Sequence, residues 1–402
     1  MPDHPQGVAI LGSTGSIGRQ AIDVLVRHPD RFRVVSLGAN RSVDELRAQA
    51  DRLRPAAIAV TDTAAARAFE APPGIATISG PGALEEIAVR DDVDIVVVGT
   101  AGIVSLGPVL AALRAGKVVA TANKETLVAG GHLVMAEARR LSDAAAVVDP
   151  GGPSASPLAW LRPLDSEHSA IWQCLAGERH DTIRRLILTA SGGPFIDGPL
   201  DLTSVTPADA LRHPTWSMGA KVTIDSATLA NKGLEVIEAC WLYDVPDERI
   251  DVVIHRQSIV HSAVVFADGS MKAQLGTPDM RIPIGYALTY PDRVPVGADA
   301  VDLAAAGRLD LAAPDAERFP ALRIAREAGR IGSRASTALI AADDVAVARF
   351  LTGSLAFVDI PRLLEAAVAR FGGGPDQRPS LPELVALDEE IRGVFATGPI
   401  SA

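Results

Sequence analysis

The stretch that most constrains this chain lies near its N-terminus. Val8-Ala-Ile-Leu-Gly12 is a short apolar run that passes straight into Gly12-Ser-Thr-Gly15-Ser-Ile-Gly18 and then into a helix-like 20–27. Strand, glycine-rich turn and helix are the context in which a chain cradles a dinucleotide pyrophosphate. The glycines let the backbone approach closely, and the helix N-terminus favours an anion. The spacing is G-x-x-G-x-x-G rather than G-x-G-x-x-G, so the turn takes its meaning from the strands and helices beyond it. Strands are expected at 32–37, 57–61, 93–98 and 117–121, with helices at 43–54, 62–69 and 108–115 between them. Such alternation specifies a parallel, doubly wound α/β sheet of Rossmann type, with ligands outside the carboxyl ends of the strands. Asn123, Lys124 and Glu125 come directly after the last of these strands and are placed accordingly. At the end of the second strand the chain offers Asn40-Arg41-Ser42 where an NAD enzyme would carry an acid. An arginine and two small hydrogen-bonding residues suit a 2′-phosphate, so NADP is expected over NAD.

At 402 residues the chain exceeds one ordinary core, and two or three domains are expected. Lys and Arg total 38 against 49 Asp and Glu, a net charge of −11. With no basic stripe, that balance excludes a general nucleic-acid binder. The two cysteines, Cys174 and Cys240, have no metal-ligand spacing and fit a reducing cytoplasm. The N-terminus carries no basic segment followed by an apolar one, so no secretory signal is expected. The uncharged run 95–113 is broken by Gly99, Gly102, Gly107 and Pro108, and reads as strand, loop and short helix rather than a membrane span.

The densest chemistry runs from His213 to Ala239. Asp225 or Ser226 reads as an N-cap, with a helix from about 228 to 241. Asn231, Glu235 and Glu238 then share one face, with Lys232 beside it and Leu234, Ile237 and Trp241 on a neighbouring apolar stripe. Gly233 in mid-helix costs about 1 kcal/mol relative to Ala, which implies that something approaches the helix closely there. Asn and Lys in the first turns make a phosphate seat, and a Glu one turn on suits a hard metal. Upstream, Pro150–Pro157 is a breaker cluster. Asp165 and Glu167, two apart, point to one side of an extended segment as oxygen ligands for Mg²⁺ or Mn²⁺, or else Asp165 caps a helix. A strand at 184–189 delivers Ser191-Gly-Gly-Pro-Phe195, a small-residue turn able to hold an anion. Strands at 250–255, 258–267 and 271–275 come next, the last two joined by an Asp268-Gly269 hairpin. His261 lies within that hairpin; a lone histidine on a strand is more often structural, and it is a candidate only for supporting the site. From about 321 the chain reads as helices, interrupted at Gly372–Pro375.

Taken together, Gly12–Gly18, Ala122-Asn-Lys-Glu125, Asp165-Ser-Glu-His168, Ser191–Phe195, His213–Ala239, Ser258-Ile-Val-His261 and Gln274–Arg281 resemble the 1-deoxy-D-xylulose-5-phosphate reductoisomerase family along almost the whole chain. The resemblance implies an NADPH- and metal-dependent enzyme of the non-mevalonate isoprenoid pathway, acting on a small sugar phosphate. Its domains would be an NADPH-binding domain at 1–149, a catalytic and dimerisation α+β domain at 150–295, a linker at 296–320 and a C-terminal helical domain at 321–402. By the same resemblance Thr14, Gly15, Ser16 and Ile17 hold the cofactor pyrophosphate, Asn40, Arg41 and Ser42 face the 2′-phosphate, and Asn123, Glu125 and Gly219 also line the NADPH site. Asp165, Glu167 and Glu235 are the implied ligands of one Mg²⁺ or Mn²⁺. Ser191, Ser226, Asn231 and Lys232 would seat the substrate phosphate with His213 beside them. Lys124 and Ser166 would touch the substrate backbone, and Trp216 would ride a loop that closes over it. A cytoplasmic homodimer, joined through the hairpin sheet around 258–275, is implied as well. Two places depart from the family pattern: Pro150–Pro157 looks like an insertion ahead of Asp165, and Arg41 stands where a Lys is frequent. A different NADP-dependent oxidoreductase acting on another phosphorylated carbonyl, and a non-catalytic NADP sensor, are the alternatives. The sensor has no use for the three carboxylates.

Overall fold

The computed structural model describes residues 4–198, 201–216, 218–374 and 378–398. They fall into two compact units that interleave along the chain: 1–123, 133–169 and 279–298 in the first, and 124–132, 170–278 and 299–402 in the second.

The first unit is built on seven strands: β1 Gln6–Leu11, β2 Phe32–Ala39, β3 Ala57–Val60, β4 Ala76–Ser79, β5 Ile95–Val98, β6 Val118–Thr121 and β7 Leu161–Pro163. Their order is β4-β3-β2-β1-β5-β6-β7, and every pairing is parallel. Val8 to Leu11 of β1 and all of β5 have no exposed surface, as expected of central strands covered on both faces. Helices Ser16–Val26, Val43–Leu53, Thr63–Ala68 and Leu106–Arg114 stand where the alternation predicts them. Strand order reverses between β1 and β5, so the glycine-rich turn lies at the sheet's switch point, where doubly wound sheets bind ligands.

Strands β4 and β7 and helix Ala83–Ala88 are among the elements not visible in the sequence pattern. β4 is an edge strand with mostly exposed side chains, so it carries no apolar signal, and helix Ala83–Ala88 comes after it. β7 is only three residues long. The breaker cluster ahead of it is ordered, as a 3₁₀ turn Pro153–Ala155 and a one-turn helix Pro157–Trp160 whose cap Ser156 accepts from Leu158 N at 3.3 Å.

The second unit holds a four-stranded sheet ordered β11-β10-β8-β9, from β8 Ile183–Ala190, β9 Ile250–Ile254, β10 Val260–Phe266 and β11 Met271–Leu275. β8 and β9 are parallel, and the other pairs are antiparallel. The β10–β11 hairpin turns at Asp268-Gly269, where Gly269 has φ +86°. Helices Ala321–Ile331, Ser333–Leu351, Ile360–Phe371 and Leu381–Phe395 supply the expected helical C-terminal region. Gly372 to Gly374 do interrupt it, while Pro375 lies outside the described residues.

The helix expected at 228–241 is present as Ala230–Tyr243, but a second helix, Ala220–Thr228, precedes it, the two broken at Leu229 with φ +60°. Asp225 and Ser226 therefore lie inside the first helix and cap nothing. The Thr228 hydroxyl explains the break locally: it reaches back to Ile224 O at 3.2 Å and accepts from Ala230 N at 3.3 Å, replacing a ladder bond. Among the described residues no helix is long and apolar enough to cross a membrane.

Candidate functional site

In the first unit the glycine-rich turn is held by its own backbone. Gly12 and Ser13 N both donate to Gly38 O at 2.9 Å, and Gly15 N donates to Gly12 O at 3.1 Å. Gly12 has φ +84°, and a Cβ there would lie 2.9 Å from the Gly99 carbon; one on Gly18 would lie 2.4 Å from Gly12 O. Only glycine permits this approach of β1, β5 and the adjoining helix. Buried Gln49 braces the turn from behind, donating to Ser13 O at 3.0 Å. Thr14, Gly15 and Ile17 remain half-exposed and Ser16 exposed at the start of helix Ser16–Val26.

At the end of β2, Asn40, Arg41 and Ser42 are all exposed. Arg41 Nε donates to Asp62 Oδ2 at 2.8 Å, and its side chain is 80% exposed. Asp62 is the cap of helix Thr63–Ala68. Its carboxyl is held below the usual range by the Ala65 N–H and by Arg41. Asn123, 1% exposed, donates to Thr100 O at 2.8 Å and Gly102 O at 2.9 Å, tying the ends of β5 and β6 together.

Asp165 does not lie on an extended segment. It caps helix Ser166–Leu175, its Oδ1 accepting from Glu167 N at 3.0 Å and His168 N at 3.1 Å. The alternative foreseen for it is the one observed. This fixes the Asp165 carboxylate and sets Glu167 in the first turn, where the helix dipole favours an acid. Ser166 Oγ donates to Glu167 Oε2 at 2.9 Å.

In the second unit β8 ends on Ser191-Gly192-Gly193, with both glycines at positive φ. A Cβ on Gly193 would come within 2.8 Å of Ser226 O, so this turn lies directly against helix Ala220–Thr228. His213 Nδ1 accepts from Thr215 N at 3.1 Å and Trp216 N at 2.9 Å, and its Nε2 lies 2.9 Å from Ser191 Oγ. Two backbone donors on Nδ1 put the proton of the neutral ring on Nε2, which therefore donates to Ser191. Burial pushes the His213 pKa down, consistent with a neutral ring. Trp216 lies 6.3 Å, centroid to centroid, from the ring of His261. Gly219 opens helix Ala220–Thr228.

Helix Ala230–Tyr243 carries Asn231 and Lys232 in its first turn, as expected. Glu235 is fully buried. Its Oε1 accepts from Asn231 Nδ2 at 2.7 Å and lies 3.3 Å from Lys124 Nζ, while its Oε2 accepts from Lys232 Nζ. Lys124 and Lys232 are themselves buried, at 8% and 4% exposure. A carboxylate, two ammonium groups and an amide thus meet at the start of one helix. The close approach implied by Gly233 is there: a Cβ on it would lie 2.4 Å from Ala325 Cβ. Leu234 and Ile237 are buried as expected, and Trp241 covers Gly131. Sequence reasoning passed over Lys221, whose Nζ lies 2.7 Å from Asp225 and 3.6 Å from Glu125. Its only signal was the i, i+4 spacing to Asp225. Burial pushes the two thiols up, Cys174 to about 11 and Cys240 to about 12, so neither is a nucleophile at neutral pH.

A parallel sheet with its glycine-rich turn at the switch point defines a Rossmann-type dinucleotide-binding α/β protein. Comparison with known proteins narrows this further. Residues 8–131 match the 1-deoxy-D-xylulose 5-phosphate reductoisomerase family, 161–243 its C-terminal domain, and 275–394 the DXP reductoisomerase C-terminal domain. The 1-deoxy-D-xylulose 5-phosphate reductoisomerase of Thermomicrobium roseum is 48% identical over 391 residues, covering 96% of each chain. That of Methylococcus capsulatus is 47% identical over 401 residues, covering 97% of each. Among solved structures, the Zymomonas mobilis enzyme in complex with NADPH superposes with a TM-score of 0.86 at 38% identity, over 98% of both chains. A DOX-P reductoisomerase in complex with NADPH, fosmidomycin and magnesium gives 0.86 at 37% identity, over 96% of this chain and 97% of that one. The chain belongs to the 1-deoxy-D-xylulose 5-phosphate reductoisomerase family.

Proposed function

We propose that this chain converts 1-deoxy-D-xylulose 5-phosphate to 2-C-methyl-D-erythritol 4-phosphate, using NADPH and one divalent cation, Mg²⁺ or Mn²⁺, in non-mevalonate isoprenoid synthesis. Relatives near half identity over nearly the full length carry this enzyme's name, and solved neighbours hold NADPH and magnesium. The observation in this chain that carries the reading is Glu235. A fully buried carboxylate held by two buried lysines and an asparagine is costly unless the place serves a charged ligand.

The donor set fits a hard cation. Asp165, Glu167 and Glu235 would hold it, since they offer oxygen only. The glycine turn, with no room for a Cβ at Gly12 or Gly18, fits a pyrophosphate at Thr14, Gly15, Ser16 and Ile17. Asn40, Arg41 and Ser42 would take the 2′-phosphate, and Asn123, Glu125 and Gly219 would line the rest of the cofactor site. When bound, the cation supplies Lewis acidity to the rearranging carbonyl and NADPH supplies the hydride.

The chain's own residues bind and orient. Because His213 Nε2 donates to Ser191 Oγ, the Ser191 hydroxyl hydrogen is left to donate to a phosphate oxygen. Ser226, Asn231 and Lys232 complete that seat, and holding the phosphate keeps the cleaved fragments within reach of one another. Lys124 and Ser166 would contact the sugar backbone. Trp216, hinged next to His213, would cover the substrate and exclude water.

We also read the protein as a cytoplasmic homodimer. β11 supports this as an edge strand with exposed Met271 and Leu275, and light scattering tests it. The function is tested by incubating the full chain with NADPH, Mg²⁺ and 1-deoxy-D-xylulose 5-phosphate and identifying the product by mass spectrometry. 2-C-Methyl-D-erythritol 4-phosphate is expected. NADPH binding without product would overturn the substrate assignment and favour another phosphorylated carbonyl.

A further inference from the structure

Helix Ala220–Thr228 shows one side to the Ser191–Gly193 turn and packs on helix Ser333–Leu351 of the C-terminal region. Between those helices lies a polar cluster of which the proposed reaction uses only Glu125. Lys221 Nζ is 2.6 Å from Asp343 Oδ2 and 2.7 Å from Asp225 Oδ2, with Glu125 at 3.6 Å and Asp344 at 3.7 Å. Arg392 of helix Leu381–Phe395 closes the far side, 2.5 Å from Asp344 and 2.6 Å from Asp388. Asp225 and Asp343 are 2% and 1% exposed, and among the described residues the Oδ1 of each is buried opposite no hydrogen-bond donor.

Two carboxylates on one ammonium, each with its other oxygen buried and bare, do not both ionise cheaply. One proton held on the pair, with Asp343 hydrogen-bonded to Asp225, would leave a single negative charge facing Lys221. We infer that Lys221, Asp225 and Asp343 form a clamp that positions the phosphate seat by fixing helix Ala220–Thr228 to the C-terminal helices. Lys221 and Asp343 are thus positioning residues acting through Ser226. Burial raises the pKa of both acids, and the surrounding carboxylates more than offset the effect of burial on Lys221, which stays charged. The inference rests on the reading that Ser191 and Ser226 bind the substrate phosphate.

The test compares Lys221→Met, Lys221→Arg, Asp343→Asn and Ser226→Ala in the full chain. The readouts are kcat, KM for the sugar phosphate and the inhibition constant of inorganic phosphate. Lys221→Met should raise KM and the phosphate constant together, about tenfold, while kcat stays within about threefold. Lys221→Arg, which keeps the charge, should recover most of the loss. Asp343→Asn substitutes a neutral amide for the protonated carboxyl and should leave both constants near those of the parent at neutral pH. Its unfolding free energy should gain on the parent's as pH rises, because only the parent must give up the shared proton. An effect of Ser226→Ala with none from Lys221→Met overturns the clamp alone. No effect of Ser226→Ala overturns the seat, and the clamp with it. If Lys221→Met does not fold, the pH comparison decides: parallel stability curves for Asp343→Asn and the parent overturn the shared proton.

Discussion

Gly233→Ala separates two opposed effects. In an isolated helix, alanine for glycine at an interior position is stabilising by about 1 kcal/mol. Here the new Cβ would lie 2.4 Å from Ala325 Cβ, with Ala321 O at 3.5 Å. Aliphatic carbons rest at about 3.5–4.0 Å, so helices Ala230–Tyr243 and Ala321–Ile331 must part by about 1.1–1.6 Å. Ala325 Cβ is rooted on a helix backbone and cannot swing aside, so the cost sits near the upper end of overpacking, about 3 kcal/mol. The net expectation is a loss of about 2 kcal/mol in urea unfolding. The helix that moves carries Asn231, Lys232 and Glu235, and displacements of this size cost up to about a hundredfold in rate. kcat/KM should therefore fall at least about tenfold. Ala325→Gly in the same chain removes the obstructing carbon and should recover activity. A Gly233→Ala protein as stable as the parent and fully active would refute the packing argument and the link from this helix to the site.

Glu235→Gln should lower turnover by about a hundredfold or more and weaken Mn²⁺ binding, while NADPH affinity measured by fluorescence stays near that of the parent; unchanged turnover would remove Glu235 from the ligand set. His213 has its pKa lowered by burial, so the unfolded chain takes up the proton first, and the ring's contribution to stability is lost as pH falls below about 6.5. KM for the sugar phosphate reports the folded ring, so it should rise only at lower pH, as the lowered pKa of His213 is crossed, and much less in His213→Asn. Arg41→Ala should weaken NADPH by about tenfold and NADH hardly at all, the low end for an exposed charged contact.

The fold of the first unit was legible because central parallel strands are continuous apolar runs and the glycine turn has no substitute. β4 was not, since an exposed edge strand looks like a loop. The candidate site was legible wherever chemistry is local. Asn231, Lys232 and Glu235 fall on one helical start by spacing alone, and Gly233 announced its neighbour. The break at Leu229 escaped because it depends on one threonine hydroxyl and a leucine in the left-handed region, which no propensity foretells. Asp165 offered a strand reading and a cap reading, and only the folded backbone chooses between them. Lys221 showed nothing beyond its spacing to Asp225, because Asp343 and Asp344 are remote in sequence and meet it only through packing of the C-terminal helices.

The most direct test of the proposed reaction is NADPH oxidation by the chelator-treated full chain with 1-deoxy-D-xylulose 5-phosphate, read as Mn²⁺ is titrated in. No oxidation is expected without metal, and activity should saturate as one cation per chain binds, with Glu235→Gln failing to respond at the same concentrations. Oxidation that proceeds undiminished in chelator, or its absence at saturating metal while NADPH is bound, would contradict a metal-dependent reductoisomerase.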